Sequence, residues 1–204
     1  MIIHWFQLLG ALLFGLIPPR QLINSECRYL KFDEFWAVVV KPRKSNQRRR
    51  RWWKLPIVWI DPVRGYVIAF LLADAFAFDH RATSFESLGR LAVTFMILLL
   101  IAWIQTCGRN KQKETLAPTG FLAGLMLGLL PPVIALSGIV LGVVMAIATT
   151  SFPAGYLVAA LTTAGIGYAF MGTSIHLAAS TLVMASPLLI SWMRRAPLVI
   201  PVRC

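Results

Sequence analysis

Acidic residues are scarce in this sequence: 204 residues hold 8 Asp and Glu against 20 Lys and Arg. Cysteine and histidine number three each. Cys27, Cys107 and Cys204 lie far apart, so they fit neither a disulfide framework nor a C-x-x-C metal or redox site, and they read as chemically inert. His4, His80 and His176 share no metal-ligand spacing. No H-E-x-x-H, nucleophile elbow or phosphate loop occurs, which removes support for soluble-type hydrolytic or nucleotide chemistry. Charge as a whole is low, 14% of residues, where soluble domains carry roughly 25%.

Apolar side chains take its place. They make up 58% of the chain, and mean hydropathy is +0.71. The composition predicts an all-α polytopic membrane protein with about six apolar segments. Ile2 to Ile17 is the first; it lacks a basic leader and a small-residue cleavage pattern, so it reads as part of the mature chain and not as a signal peptide. Segment two is expected from Pro62 to Phe78, with Asp61 as N-cap ahead of a proline at the first helical position. Segment three is Leu91 to Cys107, segment five Pro153 to Met171 and segment six Ile175 to Met193.

Segment four, Thr119 to Thr150, is the anomaly. It has no charge, but Pro131 and Pro132 sit near its middle, where they remove backbone donors and clash with the preceding turn. At about 1.5 Å per residue it is too long for one crossing of a roughly 30 Å core and short for two. Charge weighs the alternatives. Residues Arg20 to Arg64 hold 12 basic and 4 acidic residues, a net +8 of the total +12, which sets that loop on the cytoplasmic side. If segment four were one kinked crossing, Arg194, Arg195 and Arg203 would lie outside; if it is a hairpin turning at Pro131-Pro132, they lie inside. The hairpin is the expectation. The organisation is then 1–18 first membrane segment, 19–61 basic cytoplasmic loop with an interfacial aromatic stretch, 62–193 membrane helical domain and 194–204 cytoplasmic tail, in a cell (inner) membrane. A short echo, LLFGLIPP at Leu12 to Pro19 against LMLGLLPP at Leu125 to Pro132, is too apolar to establish a repeat.

Candidate functional residues are few. Asp74 is the acid that falls inside an apolar segment, and an intramembrane carboxylate is a functional candidate by default, although it stands about one turn from the segment's outer end. Pro131 and Pro132 mark a broken helix, which the bilayer admits where protein or a cavity satisfies the freed carbonyls. Arg48, Arg49, Arg50 and Arg51, followed by Trp52 and Trp53, match headgroup anchoring to anionic lipid at about 1 kcal/mol per cation. That explains the run more simply than nucleic acid does.

Motif order adds a resemblance. TGFLAGLMLGLLPP (Thr119 to Pro132), TTAGIGYAFM (Thr162 to Met171) and STLVMASPL (Ser180 to Leu188) follow one another in a chain that, from about residue 108 to 193, resembles the RnfD/NqrB family. These are membrane subunits of ion-translocating electron-transport complexes. The resemblance implies partner subunits and a flavin, with Ser186 at the position of the family's flavin-bearing threonine and Gly165, Gly167 and Tyr168 in the glycine-tyrosine segment. Ser180 stands where the family's motif has an acid. The expectation is therefore no covalent FMN, and any flavin held without a bond. A small-solute or ion transporter built on the broken segment, or a membrane scaffold without its own ligand, are the other function classes.

Overall fold

Proline and left-handed turns set most helix ends in this chain. A computed structural model describes residues 2–18, 27–40, 56–77, 84–106, 115–172 and 174–203. Strand β1 (Ile2–Ile3) leads into α1 (Trp5–Leu16). That helix stops because Ile17 is extended (φ −65°, ψ 111°), the conformation that a following proline, here Pro18, imposes on its neighbour. After β2 (Cys27–Leu30) and α2 (Phe32–Val40) come α3 (Pro56–Asp74), β3 (Phe76–Ala77) and α4 (Ser84–Gln105). Strand β4 (Thr115–Leu116) precedes α5 (Thr119–Leu129). Leu130 is extended and Pro131 caps α6 (Pro132–Thr149), so the apolar run is broken at the two prolines. Thr150 turns left-handed (φ 50°) into α7 (Phe152–Met171), and Gly172 (φ 65°) separates it from α8 (Ile175–Arg194). Strand β5 (Leu198–Arg203) ends the described chain.

The described chain is mostly helical, and three of its helices are long and apolar enough to cross a membrane: Pro132–Thr149, Phe152–Met171 and Leu177–Arg194. Their outward faces carry large apolar side chains, among them Val140, Val144, Leu157, Leu161 and Leu182, a surface that water does not favour on this scale. Trp5–Leu16, Leu91–Gln105 and Thr119–Leu129 are shorter apolar helices.

Two of the expected boundaries are corrected. Segment two begins before Asp61: α3 starts at Pro56 and contains Pro62. Asp61 is thus no N-cap but a helical residue, bonded three positions on to Arg64. The expected tail is a strand that joins two distant pieces of chain. β5 pairs antiparallel with β2 (Tyr29 opposite Pro201) and parallel with β4 (Thr115 opposite Leu198, Leu116 opposite Val199). β4 flanks only the first part of β5, so Pro201 lies where one edge is open, and a residue without an N–H is tolerated there.

Helix directions follow from the contacts. α1 and α3 are antiparallel: His4 N–H donates to Ala75 O (2.9 Å) at one end and Arg64 reaches Phe14 O at the other. α3 and α5 run parallel, with Gly124 against Pro62 and Gly128 against Ala69. α6 and α7 are antiparallel, Gly142 facing Ala159 and Gly155 facing Ala146. Thr119 at the start of α5, Ile147 near the end of α6, Phe152 and Ile200 all border one cavity. α5 therefore leaves the end of the bundle that carries the three-stranded sheet, and α6 comes back to it. Arg194, stacked over the Trp103 ring at 4.7 Å, brings the end of α8 to that same sheet end.

Two stripes of small residues at spacing four make these approaches close. Gly120, Gly124 and Gly128 of α5 meet Pro62, the Pro62 carbonyl and Ala69. Gly138, Gly142 and Ala146 of α6 meet Thr163, Ala159 and Gly155 of α7. Absent side chains let backbones touch, and between apolar helices this contact supplies much of the association energy.

Candidate functional site

Two features stand at the sheet end. The first is polar. Because Pro18 ends α1, its last carbonyls have no partner within the helix, and in an apolar bundle each would cost several kcal/mol. Arg64 and Gln105 supply the donors. Arg64 Nη2 donates to Phe14 O and Ile17 O (both 2.8 Å), while Nη1 donates to Asp61 Oδ1 (2.9 Å). Gln105 Nε2 donates to Gly15 O (2.8 Å) and Ile17 O (3.1 Å). Gly15 allows this, since a Cβ there would lie 2.5 Å from Ile101 Cδ1 of α4. The guanidinium also lies 5.9 Å from the centroid of the Phe121 ring, so α1, α3, α4 and α5 converge on one buried cation. Arg64 Nε and Gln105 Oε1 have no hydrogen-bond partner among the described residues.

The second feature is apolar. A cavity of about 310 Å³ lies between α2, α5, α6, α7, α8 and β5. Phe32 and Trp36 of α2, stacked on each other with centroids 6.2 Å apart, form one wall, and Phe152 meets Phe32 edge-on at 4.7 Å. Ile139 and Val143 of α6, Ala123 of α5 and Met184 of α8 continue the lining. Among the described residues of the lining, Thr119 and Tyr156 bear hydroxyls and none is charged. At the small end of ligand-pocket sizes, this volume suits one ring or one hydrocarbon chain and offers no cation for a phosphate.

The residues singled out by sequence are scattered. Ser186 is buried, and its hydroxyl donates to Val183 O of its own helix at 2.6 Å. Gly167 packs on Leu177, nine residues before Ser186 on α8, roughly 14 Å along a helix axis. Gly165 and Tyr168 face outward. The flavin set is not gathered into one site. Asp74 is the exposed last residue of α3, at the end opposite the sheet. Pro131 and Pro132 are exposed at the α5–α6 break. Arg48, Arg49, Arg50 and Arg51, and with them Trp52, Trp53, His80 and Cys107, lie outside the described residues. Among the described residues the buried acid is Asp61, which the sequence places at a helix boundary. The i,i+3 spacing of Asp61 and Arg64 was the signal for it.

No family model, no curated protein and no solved structure matches this chain.

Proposed function

We propose that this chain is a polytopic membrane protein that works as a subunit of a larger membrane assembly, with its basic loop and C-terminal arginines on the cytoplasmic side of a cell membrane. The observation that carries the topology is the return of α6 to the end where α5 begins. With that reversal, Arg64, Arg194 and β5 share one end of the bundle, and the positive-inside rule is satisfied along the chain. α5 and α6 then form a re-entrant unit that turns at Leu130 and Pro131, with α3 packed along α5 as far as Gly128.

Support for a partner comes from α7. Two small-residue stripes among the described residues, on α5 and α6, are each covered by a helix. Gly165 and Ala169 repeat the spacing on α7 and Gly172 follows at its C-cap, but all three are exposed and a Cβ on Gly165 or Gly172 would meet nothing within 4 Å. In a bilayer such a face suits a helix of another subunit.

Cysteine labelling of intact cells tests the topology. Single cysteines at positions 45 and 203 are expected to stay unlabelled by an impermeant reagent from outside, and one at position 84 to label. External labelling of position 203 would refute the re-entrant arrangement.

The order of the three motifs favours electron transport of the RnfD/NqrB type as the assembly's task; the scattered positions of Ser186, Gly165, Gly167 and Tyr168 add no support to it. A visible absorption spectrum of the protein purified in mild detergent with its partners decides this reading. Flavin absorbance that survives purification and is released on denaturation is the expected result for a non-covalent cofactor, and a spectrum without flavin removes the electron-transport assignment.

A further inference from the structure

The apolar cavity has a composition, a position and an opening that together define its occupant. Its described lining holds no charge, so only an uncharged group enters without a desolvation cost of several kcal/mol. Its volume, about 310 Å³, takes one chain and not a whole two-chain lipid. It reaches the surface at Val143, which lines it and is still 53% exposed. Val143 adjoins Val140 and Val144 on the outward apolar face of α6, so the opening faces the hydrocarbon side of the bundle. It also reaches Thr119, exposed at the first turn of α5, where the positive end of a helix dipole lies. Exposed Lys31 immediately precedes the Phe32 wall at this end of the bundle.

From these observations we propose that the cavity binds one acyl chain of an anionic phospholipid, with the headgroup at the sheet end beside Lys31 and the first turn of α5. The inference rests on the membrane reading given above. Hydrocarbon burial supplies the affinity, at about 0.8 kcal/mol per methylene, and the Lys31 ammonium with the positive end of α5 supplies the preference for a negative headgroup. The lipid would also tie α2 and β5 to the helices, because Phe32, Trp36 and Ile200 would close over the same chain that Ile139 and Met184 line from the other side.

Native mass spectrometry of the full chain, released from vesicles of equal phosphatidylglycerol and phosphatidylcholine, tests the proposal. The expected result is one retained phosphatidylglycerol per chain. Ile139→Trp and Ala123→Phe, which fill the cavity from two different helices, should each reduce retention about tenfold, the effect of losing roughly two buried methylenes. Leu136→Trp, on the outer face of α6, should leave retention unchanged. Equal retention of the two lipids by the unaltered protein, or undiminished retention in both filled variants, would overturn the proposal, and the first of these needs no variant to fold. Carbonate extraction of the same membranes separates the two levels. A chain released by carbonate would refute the membrane reading and this inference with it, whereas a chain that resists carbonate and shows no lipid preference would refute the inference alone.

Discussion

Arg64→Met is expected to lower stability by about 4 kcal/mol, the range found when one partner of a buried ion pair is removed. The change leaves the Asp61 carboxylate buried without its cation and strips the Phe14 carbonyl of the Arg64 donor. Ile17 O retains Gln105 Nε2 at 3.1 Å, so the end of α1 is weakened and not fully unsatisfied. Removing the acid as well should restore part of the loss, because Asp61→Leu combined with Arg64→Met has no unpaired charge left to bury. Arg64→Lys should recover little. One ammonium cannot span an acceptor on α3 and two on α1 in the fork geometry that the guanidinium provides. Thermal unfolding in detergent, followed by circular dichroism, measures all three variants. A single Arg64→Met variant as stable as the parent would mean that the four helices do not meet on this side chain.

The second large effect concerns one methyl group. Gly124→Ala is expected to destabilise by about 3 kcal/mol, at the upper end of the cost of overpacking. The added Cβ would enter the carbonyl group of Pro62, which is backbone and cannot rotate away as a side chain could. Relief requires α3 and α5 to separate, and Gly65, whose own Cβ position meets the Phe121 carbonyl and Leu125 N, lies on the same contact. The paired control is Gly165→Ala. Nothing lies within 4 Å of that position, and replacing a helical glycine with alanine gains roughly 0.5–1 kcal/mol, so this variant should be as stable as the parent or more so. Midpoints of denaturation for the two single variants, compared in one detergent, check the pair. If Gly124→Ala and Gly165→Ala shift together in the same direction, the close α3–α5 approach is wrong.

Local chemistry was enough to locate the longest elements of this chain. Expected segments five and six agree with α7 and α8 to within one residue at each end, because an uninterrupted apolar run between a proline, a glycine and an arginine pair states its own limits. The break at Pro131-Pro132 was legible for the same reason: a missing N–H acts on its own helix. The strands were not legible. β5 is a six-residue stretch containing a proline, and it becomes a strand only because Cys27–Leu30 and Thr115–Leu116, far away along the chain, are carried to its two edges.

Glycine marks the boundary between the two kinds of information. The spacing Gly120, Gly124, Gly128 and the spacing Gly165, Ala169 are equally visible in the sequence, where the resemblance singles out Gly165 and its neighbours for a flavin. The fold buries the first against α3 and leaves the second bare. The same holds for carboxylates: Asp74 sits in the more apolar neighbourhood of sequence, yet it is exposed at a helix end, while Asp61 is buried because α1, α4 and α5 crowd around Arg64. Periodicity and proline are properties of one segment, so they can be read from it. Burial is a property of what arrives from elsewhere, and it depends on which helices cross and how closely their backbones can approach.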